Sequence, residues 1–282
     1  MIPFDPRGPL PTGTTVLEAS AGTGKTYAIG ALAVRYLAEG VVGVDELAVI
    51  SFSRIASAEL RAKVRQRVLA TISHLRGEAQ GAPDPTDELL AAGGPDVVAE
   101  RIARLEAAAT DLDRAAIMTI HQFCQAMLAE LGVQAAVDTQ ARLSEDLSQL
   151  LAQVCADLYL ARYARHSDGV PFGLAVAQQI AREAVERLTS ELRPSGIDGA
   201  AGERREFAVA VRAEFERRKQ AASLFTFDDQ LLRLHQALQG PTGQVCAERM
   251  RQRCRVVLVD EFQDTDPIQW AILRETFHGH VP

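Results

Sequence analysis

Glu18-Ala19-Ser20-Ala21-Gly22-Thr23-Gly24-Lys25-Thr26 lies between a β-branched run, Thr14-Thr15-Val16-Leu17, and an Ala- and Leu-rich run from Tyr27 to Glu39 that Gly40 closes. The first run predicts a strand and the second a helix. Between them Gly22 and Gly24 let the backbone turn tightly, so that successive N–H groups can converge on a phosphate at the helix N-terminus. Lys25 supplies a mobile cation for the β- and γ-phosphates, and the Thr26 hydroxyl is a suitable Mg²⁺ ligand. The usual pattern opens on Gly, and this chain has Ala19 there. The strand–loop–helix setting outweighs that departure. Residues 19–26 are read as a nucleotide site.

The chain has 282 residues and 47% hydrophobic content, enough for one large globular domain or two modest ones. No apolar run approaches the ~20 residues that span a bilayer. The opening Met-Ile-Pro-Phe-Asp-Pro lacks a secretory pattern, and Cys124, Cys155, Cys246 and Cys254 show no C-x-x-C spacing. Both features fit a cytoplasmic protein with reduced thiols, not a disulfide scaffold. A net charge of −7 argues against nucleic-acid binding by bulk charge and leaves room for a local basic groove.

Glu46 to Phe52 reads as a second buried strand, feeding a helix from Ser53 to Leu75 that is rich in Arg and Lys. Those charges suit either a nucleic-acid backbone or a solvated helix face. Gly77 to Asp96, broken by Gly and Pro, reads as a flexible connection, and a helix follows from Val97 to Asp111. Ala115 to Thr119 predicts a third strand leading into Ile120-His121-Gln122-Phe123-Cys124. His121 would sit where α/β sheets bind ligands, or serve as a hydrogen-bonded core histidine.

From Gly132 to Ala222 the pattern is helical without strands. Ser144 is placed to cap a helix with an apolar stripe over Leu147, Leu150, Leu151, Val154 and Leu158, and further helices are expected over Pro171–Leu192 and Glu203–Gln220. A helix from Phe225 to Leu238 and a fourth strand, Arg255–Val259, resume the α/β pattern, and Asp266-Pro267 caps a last helix. The fourth strand runs into Asp260-Glu261-Phe262-Gln263, where two adjacent carboxylates after an apolar run call for a cation or water. Asp260 would hold the metal that Thr26 also touches, Glu261 would polarise water as general base, and Gln263 would orient that water.

With these stretches together, the chain resembles superfamily 1 DNA helicases of the UvrD/RecB type. Residues 19–26 look like motif I, Ser51-Phe52-Ser53-Arg54 through Arg61 like motif Ia, Thr119-Ile-His121-Gln-Phe123 like the Thr-x-His-x-Phe motif, and Asp260 to Trp270 like motif II. The wording of residues 18–26, of Thr119–Cys124 and of Phe227-Asp-Asp is similar to the RecB branch, the beta subunits of exodeoxyribonuclease V. The resemblance implies a RecA-like P-loop parallel α/β sheet with an inserted helical subdomain. Residues 1–131 would be the first part of motor domain 1A, 132–222 the insertion 1B, and 223–282 the second part of 1A.

It further implies ATP and Mg²⁺ as cofactors, and single-stranded and duplex DNA with RecC- and RecD-like subunits as partners of the longer protein. Phe52, Ser53, Arg54, Arg61, Thr119, His121 and Phe123 become expected single-strand contacts, combining phosphate bonds with base stacking. The family's motif III and second motor domain are not in this sequence, so it resembles an N-terminal piece that should turn ATP over poorly alone, or a non-catalytic binding module. A non-translocating ATPase is a further alternative, against which the motifs at 51–61 and 119–124 argue. No Gln precedes Lys25 to read adenine, as one does in UvrD-type members.

Overall fold

The computed structural model describes residues 4–19, 24–132, 142–144, 146–164, 169–186, 192–193 and 199–279. The chain divides into two compact units, residues 1–137 with 230–282, and residues 138–229.

The first unit is built on three parallel strands, β1 (Leu47–Ser51), β2 (Ala116–Thr119) and β5 (Val256–Val259), in the order β2-β1-β5. Every residue of the central β1 is buried, which is why it reads as an unbroken apolar run. Its side chains alternate between two cores. Leu47 and Val49 pack with α1 (Lys25–Ala38), α2 (Arg54–Leu75) and α4 (Pro95–Thr110). Ala48 and Ile50 pack with α5 (Ile120–Leu131), α9 (Phe227–Gln239), α10 (Gly243–Arg253) and α11 (Pro267–Phe277). Helices therefore cover both faces of the parallel sheet, as an α/β architecture requires.

The expected strand at Thr14–Leu17 is not formed. The segment has no ladder partner among the described residues, and Val16 is 68% exposed. β-Branched residues favour an extended backbone, but a strand exists only beside another. Thr14 is held instead by its side chain, with the Oγ1 3.0 Å from His278 Nδ1.

Residues 77–96 are not wholly a connection, since α3 (Pro85–Ala91) forms within them, its N-cap Asp84 accepting from the Thr86 N–H at 2.8 Å. Asp84-Pro85 is itself a helix-start signal that the surrounding Gly residues obscured. α10 was likewise not expected. Its N-terminal Gly243 donates to Gly240 O at 2.9 Å, and a methyl group at Gly243 would stand 1.9 Å from Leu238 O. Gly243→Ala is expected to destabilise the chain by about 1–3 kcal/mol through overpacking. An unchanged urea midpoint would refute this.

In the second unit α6 (Ser148–Tyr163), α7 (Leu174–Glu186) and α8 (Ala200–Ala221) enclose a core around Val154, Ala181, Phe207 and Phe215. The cap of α6 comes from Asp146, whose Oδ1 accepts from the Ser148 N–H at 2.8 Å, and not from Ser144. The last residues of the helix expected over 171–192 include 187–191, outside the described residues. This unit is not free of strands: β3 (Arg142–Leu143) pairs in parallel with β4 (Leu224–Phe225). Beside β4, Lys219 is 2% exposed, and its Nζ lies 2.7 Å from Asp229 Oδ1 and 2.6 Å from Glu216 Oε1. Asp229 Oδ2 also accepts from the Thr226 N–H and Oγ1 at 2.6 and 3.0 Å.

All four cysteines are free and buried. No described helix is long and apolar enough to cross a membrane.

Candidate nucleotide-binding site

Parallel strands gather their C-terminal ends on one edge of a sheet, where open α/β folds bind ligands. The registers Ser51–Thr119 and Ile50–Val259 set the ends of β2, β1 and β5 side by side. Asp260 extends the ladder by one residue, donating its N–H to Ile50 O at 2.8 Å.

Lys25, the first residue of α1, reaches across to the end of β5. Its Nζ lies 2.7 Å from Oε1 and 2.9 Å from Oε2 of Glu261, 236 residues later in the chain. Gln263 Nε2 donates to the same carboxylate. Glu261 takes a left-handed backbone (φ 49°, ψ 43°) before the 3-10 turn Phe262–Asp264. That conformation costs a non-glycine residue about 1–3 kcal/mol and persists where its surroundings impose it. The hydrogen bond to Glu261 raises the Lys25 ammonium above its ordinary value, and Lys25, then Gln263, hold the Glu261 carboxyl below its own. Burial pushes the Asp260 carboxyl the other way, upward, and the adjacent charge of Glu261 adds to the effect.

Gly24 caps α1 with φ 99°, a left-handed conformation that suits glycine. Ala19 is exposed, and Ser20, Ala21, Gly22 and Thr23 lie outside the described residues. Among the described residues no group of three or more His, Cys, Asp or Glu could hold a metal by itself. Mg²⁺ in phosphate sites needs no such cage, because one or two hard protein oxygens join water and phosphate oxygens around it. The half-buried Asp260 carboxylate and the Thr26 hydroxyl are donors of that kind and fit the ion.

The expected DNA contacts separate into two groups. Ser53 and Arg54 are exposed at the start of α2, where Ser53 Oγ accepts from the Ala56 N–H at 3.0 Å. Half-buried His121 stands in the first turn of α5, which Thr119 caps together with Gln122. Phe52 is half-buried, with its ring against the core. These residues share the C-terminal edge of the sheet.

Phe123 and Arg61 do not belong with them. Phe123 has no exposed surface and packs 6.4 Å from the Phe277 ring, so no base can stack on it here. Its place one helical turn from Ile120 and Met127 makes it part of the core stripe of α5. Arg61 donates to Leu112 O at 3.2 Å, Ala115 O at 3.5 Å and Ile117 O at 2.8 Å. Among the described residues β2 has no strand on its side away from β1, and this guanidinium bonds backbone carbonyls in and just before that strand.

One cluster beside the site was not anticipated. Burial raises the Tyr27 phenol above its ordinary value, and the nearby Asp84 carboxylate at the cap of α3 adds to the effect. Arg67 pairs with Asp84 and, at 3.0 Å, with Asp87 Oδ1. Asp87 is 1% exposed and accepts from Thr71 Oγ1 at 2.7 Å. Burial works against the Asp84 charge, yet these donors together hold its carboxyl below the usual range.

A family model described as UvrD/REP helicase N-terminal domain matches residues 8–281. The chain is 41% identical over 280 residues to the RecBCD enzyme subunit RecB of Mycolicibacterium smegmatis, covering 98% of this chain and 25% of that protein. It is 40% identical over 281 residues to the same-named subunit of Mycobacterium tuberculosis, covering 98% and 26%. The Escherichia coli subunit of that name is 28% identical over 396 residues, covering 96% and 33%. The chain thus spans a quarter to a third of the length of these curated relatives.

Proposed function

Since the chain belongs to the UvrD/REP helicase N-terminal domain family, we propose that it is the ATP-binding first motor domain of an ATP-dependent DNA helicase. Hydrolysis would be coupled to movement on single-stranded DNA in recombinational double-strand-break repair. The observation that carries this reading is the meeting of Lys25 with Glu261, next to Asp260, at the C-terminal edge of the sheet. A phosphate-binding cation and a candidate general base converge there from opposite ends of the chain.

On this reading Lys25 leaves Glu261 for the β- and γ-phosphates, and the released carboxylate takes a proton from the attacking water that Gln263 orients. Asp260 and Thr26 hold Mg²⁺, which when bound neutralises charge on the phosphates. Ser53, Arg54, Thr119 and His121 are proposed to meet a single strand, with RecC- and RecD-like subunits as partners of the longer protein in the cytoplasm. The chain alone is expected to bind nucleotide with little turnover.

Calorimetric titration with Mg²⁺–ATP, alongside turnover with and without single-stranded DNA, tests this. Saturable nucleotide binding is expected, together with DNA binding seen by fluorescence anisotropy. A chain that is folded by circular dichroism and ignores ATP would sink the nucleotide reading. Failure to bind single strands would sink the DNA half.

A further inference from the structure

We propose that Phe262 and Trp270 are positioning residues for the nucleotide site, a brace that holds Glu261 in the backbone conformation from which it clasps Lys25. The inference rests on the reading of Lys25 as the phosphate-binding cation. The turn after β5 is fixed at both ends. Asp260 extends the ladder of the sheet through its N–H to Ile50 O, and Asp266 caps α11, accepting from the Ile268 and Gln269 N–H groups at 2.8 and 2.9 Å. Between those ends Glu261 takes its left-handed backbone. Asp264 and Thr265 donate their N–H groups back to Glu261 O and Phe262 O at 2.9 and 3.1 Å. The Phe262 ring, 39% exposed, stands edge-on to the Trp270 ring, with centroids 5.4 Å apart and planes at 82°. That contact ties the residue after Glu261 to the helix beyond the turn.

Trp270 is a firm support because it is itself held. It packs against the core that α5, α9, α10 and α11 enclose, and its ring meets that of His278 at 6.4 Å and 71°. His278 Nδ1 in turn lies 3.0 Å from Thr14 Oγ1, so the brace reaches the segment that leads into residues 19–26. A left-handed backbone at a non-glycine residue persists where its surroundings impose it, and an edge-to-face aromatic pair has the defined geometry to do so. Without the Phe262 ring, Glu261 is free to return to an ordinary backbone region, which turns its carboxylate away from Lys25. The brace therefore sustains the competition that a phosphate must overcome at the ammonium.

The test is a double-mutant cycle on the whole chain, read by calorimetric titration of Mg²⁺–ATP into the parent, Phe262→Ala, Glu261→Gln and the double variant. Phe262→Ala is expected to bind Mg²⁺–ATP roughly two- to fivefold more tightly, in the same direction as Glu261→Gln. In the Glu261→Gln background it should add nothing, because both changes act through one contact. A ring that served the fold alone would give the opposite sign, since a loosened site binds more weakly. If Phe262→Ala unfolds, Phe262→Leu keeps apolar bulk against Trp270, loses the edge-to-face geometry and is expected to show the same sign. Unchanged or weaker binding by a folded variant, or an equal gain in both backgrounds, would overturn the brace and leave the nucleotide site standing. A parent chain that binds no Mg²⁺–ATP would defeat the nucleotide reading and the brace with it.

Discussion

Glu261→Gln is expected to bind Mg²⁺–ATP roughly two- to fivefold more tightly than the parent chain, and Lys25→Ala roughly ten- to a hundredfold more weakly. Both follow from the clasp in which Lys25 Nζ lies 2.7 and 2.9 Å from the two oxygens of Glu261. A phosphate must displace that carboxylate to reach the ammonium. Each side chain of the clasp is about one-third exposed, 30% and 38%, so water screens the pair and its competition with phosphate is modest. Glutamine keeps the shape and a hydrogen-bond acceptor but removes the competing charge, and with it the proton acceptor of the proposed hydrolysis. Removing Lys25 instead deletes the charge-assisted bond to phosphate outright. Opposite signs for two partners of one ion pair distinguish a catalytic clasp from a structural bridge. Calorimetry in which both variants weaken binding would refute the clasp.

Asp229→Ala should cost about 1–3 kcal/mol, the range for taking an acceptor from buried donors, because Lys219 keeps a second carboxylate. Lys219 is almost wholly enclosed, and with Asp229 gone its ammonium keeps only Glu216. The Thr226 N–H and hydroxyl lose their acceptor in the same substitution, so the turn between β4 and α9 loosens as well. The double variant Lys219→Met with Asp229→Leu is expected to recover most of the loss, since an apolar pair of similar volume avoids the desolvation of two charges. Urea unfolding of the two variants checks both statements. A midpoint for Asp229→Ala equal to that of the parent would show that water reaches Lys219 freely.

Much of the fold was legible because burial and periodicity coincide in it. The runs at 46–52, 115–119 and 255–259 are apolar because their strands lie between two helical layers, and Ser53 and Asp266 cap helices by the same side-chain chemistry that marks them in a sequence. The segment at 14–17 misled because propensity reports what a residue tolerates, whereas a ladder depends on a neighbour elsewhere in the chain. α10 was hidden by a turn, Gly240-Pro-Thr-Gly243, whose last glycine belongs to the helix that follows.

At the site, motif order put Lys25 and Asp260-Glu261 together, but the direct pairing of Lys25 with Glu261 was not among the expectations. The fates of Phe123 and Arg61 could not be read from motif order, because an aromatic ring or a guanidinium in a motif looks the same whether it faces a ligand or its own backbone. The pairing of Asp84 with Arg67 passed unnoticed because the two lie in stretches that read as a linker and a charged helix face.

The Arg61 guanidinium leaves the main sheet with unlike borders. Along β2 the carbonyls of Ala115 and Ile117 are already taken, while along β5 the border has no strand bonded to it among the described residues. Arg61 thereby closes this stretch of the β2 border to a further strand, whether from this chain or another, and leaves β5 as the border open to pairing among the described residues.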